Sequence, residues 1–142
     1  MKAFLDTSVL VAAFYGDHVH HAASLDLFTR FGKKEASAAA HSLFEVYSVL
    51  TRMPGKHRVG GEQAMLFVGN IRERLLLVAL TAEEYAKTLQ TCVELGVTGG
   101  AVYDAHLAAC ALKARAATLF TWNVARFAQL GPRVVPLLRT PG

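Results

Sequence analysis

The sequence predicts an α/β domain of three layers, α/β/α, around a mainly parallel central sheet of four to five strands. Two observations carry this expectation. Short apolar runs that suit strands alternate along the chain with stretches of helical periodicity. One of those runs, LLLVAL at 75–80, is a continuous apolar segment typical of a parallel strand buried on both faces. A chain of 142 residues suits one domain with a sizeable core, and a hydrophobic content of 53% supplies it. Residues 1–142 are accordingly expected to be a single domain.

The elements follow in order. Residues 2–5 read as a short buried strand, and 9–15 as a short helix broken by Gly16-Asp17. Residues 18–31 have helical spacing, with Ala22, Leu25, Phe28 and Phe31 every three residues, and Gly32 stops them. Residues 35–39 form a second strand of small side chains. Residues 42–53 form a helix with Leu43, Val46, Val49 and Leu50 on one side, ended by Pro54-Gly55. A basic glycine-rich loop leads to a helix over 62–74, then to the strand at 75–80. Thr81 with Glu84 is a capping-box pattern that opens a helix to about Leu95. The loop GVTGG separates it from a helix over 101–114. A strand at 118–122, a short helix at 124–130 and a last strand at 133–137 complete the chain. Alternation of this kind implies a parallel sheet with helices on both faces.

Composition narrows the class of function. The net charge of +4 favours an anionic partner such as nucleic acid. No apolar run approaches the ~20 residues that span a bilayer, and no secretory signal pattern is visible. Cys92 and Cys110 form no paired motif and read as buried small hydrophobes. A reducing, cytoplasmic setting without a membrane is therefore expected.

The four Asp and seven Glu divide unequally. Asp17, Asp26, Glu62, Glu73, Glu83, Glu84 and Glu94 fit breaks, first turns or solvated helix faces. Asp6, Glu45 and Asp104 do not. Asp6 ends the first strand, the other two lie among apolar and small residues, and each of the three is read as near the start of a helix that follows a strand. A carboxylate buried alone is costly, so three that converge on one sheet edge must share protons or a cation. An all-oxygen set without a His/Cys cluster suits Mg²⁺, or Mn²⁺, better than Zn²⁺. Asn123 follows a strand and belongs to the same edge. Its amide oxygen can support metal-bound water or ligate directly, and it can also cap the next helix.

The segments FLDTSVLVAAF, a lone Glu at 45, YDAHLAACAL and TLFTWNVARF together resemble the PIN-domain family, and within it the VapC-type toxins of toxin–antitoxin pairs. The resemblance spans the chain in order and implies a PIN-like fold and a metal-dependent endoribonuclease. Carried over residue by residue, Asp6, Glu45 and Asp104 match the family's three acids. Asn123 stands where many relatives have a fourth, leaving a site charge of −3 rather than −4. One ion is then expected to bind firmly and a second loosely. Asp6 and Asp104 are assigned as primary ligands, and Glu45 as a ligand or the group that orients the attacking water. Thr7, Ser8, Thr121 and Asn123 support them.

The same resemblance implies a structured RNA substrate, a transfer or ribosomal RNA, a cognate VapB-type antitoxin and a homodimer built on the apolar early helices. Candidates for holding RNA are Arg126, beside Asn123, and Arg52, Lys56, His57 and Arg58 around Pro54. The bland reading of Arg126 is a structural salt bridge with one of the acids, and that of the loop is a solvated turn. His18, His20 and His21 are expected on an exposed first turn rather than as transition-metal ligands, and Trp122 in the core or at an edge, with base stacking as its alternative role. Two other readings compete. A PIN-like module could bind RNA or protein with little or no catalysis. An α/β phosphotransferase using Asp6 would need an acid where Ser8 stands.

Overall fold

The computed structural model describes residues 1–142. Five strands form one sheet: β1 (Ala3–Leu5), β2 (Ala36–Ala39), β3 (Leu76–Val78), β4 (Thr118–Phe120) and β5 (Leu138–Arg139). Their order is β3-β2-β1-β4-β5 and every pairing is parallel. The seven α-helices are α1 (Thr7–Phe14), α2 (His21–Arg30), α3 (Ser42–Thr51), α4 (Gly61–Arg74), α5 (Ala82–Leu95), α6 (Ala101–Lys113) and α7 (Val124–Phe127).

Side-chain alternation along β1 divides the interior. Ala3 and Leu5 pack with α1, α2, α3 and α4 on one face, among Val9, Leu10, Leu27, Val46, Leu50 and Ile71. Phe4 points the other way, into Leu107, Cys110, Ala111, Leu119, Phe127 and Leu130. The three expected layers are thus present, with β1 at their centre. The small side chains of β2 are fully buried and let helices approach the sheet on both sides. Ser37 satisfies its buried hydroxyl by donating to the Ala3 carbonyl at 3.1 Å.

The capping box opens α5 as its sequence requires: the Thr81 hydroxyl accepts from Glu84 N–H, and Glu84 Oε1 accepts from Thr81 N–H. Gly96 closes the same helix with φ of 71°, a left-handed conformation that suits a residue without Cβ. Cys92 and Cys110 are buried and unpaired, and burial pushes the Cys110 thiol up to about 11, which keeps it protonated. No helix is long and apolar enough to cross a membrane.

Several expectations are corrected. The run at 75–80 is an edge strand rather than a fully buried one: Leu75 and Val78 face inward, whereas Leu76 is 45% exposed, because nothing pairs beyond β3. The last strand lies at Leu138–Arg139, and Val135–Leu137 forms a 3-10 turn, since Pro136 cannot donate to a ladder. Residues 18–20 precede α2 as a turn. Asp104 lies in a helix that follows another helix, α5, rather than a strand. The first helix is not an apolar outer face. α1 buries Thr7, Val9, Leu10, Val11, Ala12 and Ala13 inside the protein, and the large exposed apolar side chains lie mostly on α3, α4, α5 and α6.

Candidate active site

The sheet reverses direction of growth at β1. The chain moves from β1 to β2 and β3 on one side, then returns to place β4 and β5 on the other. In open α/β sheets, ligands bind outside the carboxyl ends of the strands at such a switch point. Leu5 stands opposite Phe120 in register, so Asp6 and Thr121 leave adjacent strands side by side. Asp6 N–H donates to the Phe120 carbonyl at 3.0 Å, which fixes the exit of β1.

Asp6 occupies the N-cap position of α1 but does not cap it. Its Oδ2 instead accepts from Thr121 Oγ1 at 2.7 Å and Ser8 Oγ at 2.8 Å. Each hydroxyl is itself held by backbone: Asn123 N–H donates to Thr121 Oγ1, and Trp122 N–H donates to Ser8 Oγ. Asp6 is buried, and burial raises its carboxyl above the ordinary range. The bonds from Thr121, Ser8 and the Thr7 backbone oppose that rise without cancelling it, and the nearby Asp104 charge adds to it.

Asp104, in the first turn of α6, is buried as well. Its Oδ2 lies 3.1 Å from Arg126 Nε and 2.9 Å from Arg126 Nη2. Burial raises its carboxyl, and the Arg126 charge and hydrogen bond pull the other way. Glu45 is half-buried, with Oε1 accepting from Thr7 Oγ1 at 3.1 Å. Since Thr7 gives its only proton to Glu45, the buried Ser42 hydroxyl, 2.8 Å away, is the donor in the Ser42–Thr7 bond. Ser42 is a supporting residue that sequence reasoning missed, because Ser at a helix start reads as a cap. It makes no capping bond here.

Asp6, Glu45, Asp104, Asn123, Thr7, Ser8 and Arg126 all line one open cleft of about 740 Å³. The three acids therefore converge as expected. They do not close into a cage: no three His, Cys, Asp or Glu side chains are grouped tightly enough to hold an ion alone. Asp104 turns to Arg126 and Glu45 to Thr7. The donor set is nevertheless all oxygen and carries three carboxylates, two of them buried, which suits a hard divalent cation completed by water or phosphate oxygens.

The remaining assignments separate. Asn123 sits at the N-cap of α7 with no side-chain capping bond, so its amide is free to serve the cleft. Arg126 pairs with Asp104, the salt bridge that was its bland reading. Arg52, Lys56 and Arg58 are exposed and outside the cleft lining. Arg52 ends α3, about 10 Å along the axis from Glu45, and Arg58 Nε donates to the Met53 carbonyl. His106 faces away from the acids, packed on Tyr85 and His41. Contrary to the expectation of a merely exposed turn, His18 and His20 line the cleft, and so does Trp122. Their only sequence signal was the aromatic and imidazole content of HVHH and TWN.

Fold and site together define an α/β domain whose parallel sheet gathers carboxylates into an open cleft at its switch point. The family model described as PIN domain matches residues 3–131, and the chain belongs to that family. It is similar to two proteins of Mycobacterium tuberculosis. Ribonuclease VapC27 is 36% identical over 113 residues, 79% of this chain and 78% of that one. Ribonuclease VapC40 is 39% identical over 116 residues, 82% of each chain. Among solved structures, Mycobacterium tuberculosis VapC20, described as a sarcin–ricin loop cleaving toxin, superposes with a TM-score of 0.70 at 18% identity, covering 89% of this chain and 94% of its own. A toxin–antitoxin complex from Klebsiella pneumoniae gives 0.69 at 16% identity, covering 99% and 98%. These structural likenesses speak to the fold.

Proposed function

We propose that residues 1–142 act as one PIN domain and form a divalent-metal-dependent endoribonuclease, the toxin of a VapBC-type pair. Its substrate is a structured RNA, a transfer or ribosomal RNA, whose cleavage stops translation in the cytoplasm. The observation that carries this reading is the convergence of Asp6, Glu45 and Asp104 on one open cleft. Similarity to proteins named ribonuclease VapC27 and VapC40 supports the reaction class. The structural likeness to toxin–antitoxin complexes supports a VapB-type antitoxin as partner, and a toxin homodimer is part of the same proposal.

Asp6 and Asp104 would hold Mg²⁺, or Mn²⁺ in its place, with Glu45 completing the acidic side. When bound, such an ion lowers the pKa of coordinated water and neutralises charge on the phosphoryl oxygens. The chain's own residues do the rest. Thr121 and Ser8 keep the Asp6 carboxyl oriented from one side. Glu45 is the acid least buried and has a carboxylate held by Thr7, so it is placed to orient a water or take its proton. Arg126 lies over Asp104 in the free protein and is more than half exposed, so it can swing from that carboxylate to a substrate phosphate.

The test is cleavage of total RNA by the purified chain with Mg²⁺, Mn²⁺ or EDTA, beside Asp6→Asn and Asp104→Asn. Discrete fragments that require the cation and both acids are expected. A folded Asp104→Asn protein of full activity, or cleavage undiminished in EDTA, overturns the assignment. No cleavage by well-folded wild type over a broad RNA set supports the module that binds without cutting.

A further inference from the structure

Three aromatic side chains form an element of the cleft wall that the acid chemistry does not use. The His20 imidazole stacks on the Trp122 indole, with ring centroids 3.6 Å apart and planes 7° from parallel. Both rings are partly exposed and both line the cleft that holds Asp6, Glu45 and Asp104. The pair is held from behind. Trp122 Nε1–H donates at 2.8 Å to Ser24 Oγ, which is fully buried. His20 N–H donates at 3.0 Å to His18 Nδ1, so the turn before α2 is also tied down. Trp122 N–H reaches Ser8 Oγ, and Ser8 Oγ reaches Asp6 Oδ2, so two hydrogen bonds connect the stack to the central carboxylate.

An indole whose only polar hydrogen is bonded away from the cleft offers its face and nothing else. A ring stacked parallel on it extends the same flat apolar surface by one layer. Flat π-faces beside a site that receives phosphodiesters are what an unpaired nucleobase requires, and stacking of this kind tolerates any base. Resting on the reading of the cleft as an RNA site, we infer that His20 and Trp122 form a stacking platform for one unpaired base next to the scissile phosphate. The base lies on the outer face of His20, continuing the stack. The platform selects single-stranded or flipped-out nucleotides over those inside a helix, because a base within a helix has both faces covered by its stacked neighbours. His20 and Trp122 are therefore positioning residues, and their effect falls on binding rather than on the reacting atoms.

Trp122 is the only tryptophan in the chain, so its emission reports on this place alone. The full chain in EDTA is titrated with labelled hexa-adenylate and with an abasic ribose-phosphate hexamer of equal charge, following anisotropy and Trp122 emission. Hexa-adenylate is expected to bind about tenfold tighter, ~1.4 kcal/mol, and to quench Trp122, while the abasic chain does not. His20→Ala removes that advantage and leaves abasic binding unchanged; His20→Phe, which keeps a flat ring, retains most of it. Equal affinity for the two oligomers, or equal losses in His20→Ala and His20→Phe, overturns the platform. Quenching by an arginine-rich peptide but not by hexa-adenylate overturns it in favour of a protein ligand. Loss of base dependence with metal-dependent RNA cleavage intact refutes the platform alone. Base-dependent binding without cleavage refutes the nuclease alone.

Discussion

Replacing Asp6 by Asn should stabilise the free protein while it removes activity. The side chain is buried, and its ionised form is opposed by burial and by the Asp104 charge. Taking a carboxylate out of water costs several kcal/mol. Hydrogen bonds to a charged acceptor return about 1.5–3 kcal/mol each, and Thr121, Ser8 and the Thr7 backbone supply them. The upward direction of the carboxyl shift means that the unfavourable side wins. An Asn of the same shape can still accept from Ser8 and Thr121 through its amide oxygen, as neutral bonds, and carries no charge to desolvate. The net gain expected is about 1 kcal/mol near pH 7.5, within the usual range for relieving a functional strain, or a few degrees in Tm.

The pH dependence gives the argument a second handle. A carboxyl raised on folding binds its proton more tightly in the native state than in the unfolded chain. Its contribution to stability is therefore favourable below the unfolded value, and it is lost as pH rises from there through the folded value. Above that window the wild type carries the full cost of the charge, and the Asp6→Asn variant does not. Urea unfolding in EDTA should show the stabilisation near pH 7.5 and its decline towards pH 4. Added Mn²⁺ should raise the Tm of the wild type and leave Asp6→Asn nearly unmoved, since ligand binding to the native state stabilises by mass action. An Asp6→Asn protein less stable than wild type at pH 7.5 in EDTA would refute the reasoning, because the hydroxyl network would then outweigh the burial of charge.

Two further outcomes follow from the cleft. Arg126→Gln leaves Asp104 without its cation, so the Asp104 carboxyl rises further; a stability loss of about 1 kcal/mol, discounted for the exposure of Arg126, should appear near pH 7.5 and shrink towards pH 4 where the acid is protonated. Calorimetry on the same variant should show Mn²⁺ binding several-fold tighter, with weaker RNA binding beside it, because the guanidinium no longer competes for Asp104. Asn123→Asp adds a fourth carboxylate to the lining and should convert one firm Mn²⁺ site into two by calorimetric titration, at the expense of stability in EDTA; unchanged stoichiometry would show that charge at 123 does not limit the second ion.

Much of this site was legible because burial of charge is rare enough to be noticed. Asp6 after FL, and Asp104 between Tyr103 and Ala105, stood out against apolar neighbours, and the structure buries both. The strand order puts Asp6 at the switch point of the sheet, and Asp104 reaches the same place from the first turn of α6 rather than from a strand end. Residues whose local alternative was equally good were harder to read. Ser42, read only as the first residue of a helix, is the donor behind Thr7 and Glu45. Arg126 had two plausible partners, and only the spatial approach of α6 to α7 selects Asp104. Trp122 was legible as an alternative stacking surface, but its pairing with His20 was not, because about a hundred residues separate them and stacking leaves no periodicity in sequence. The run at 75–80 misled for another reason: hydrophobicity records how much a strand can bury, not whether a neighbour exists beyond it.

The backbone at the heart of the cleft belongs to the innermost part of the sheet. Asp6 N–H bonds to Phe120, and Thr121 N–H bonds to Arg139, so the two turns that present the Asp6 carboxyl and its hydroxyl partner are stitched across β1, β4 and β5. Groups anchored there separate only when the sheet itself comes apart. Loosening a distant loop leaves Asp6 and its hydroxyls in place, whereas Glu45 and Asp104, in the first turns of α3 and α6, are held only as firmly as those helix starts. The Asp6 side of the cleft is thus as durable as the sheet that carries it, and the opposite side only as durable as two helix starts.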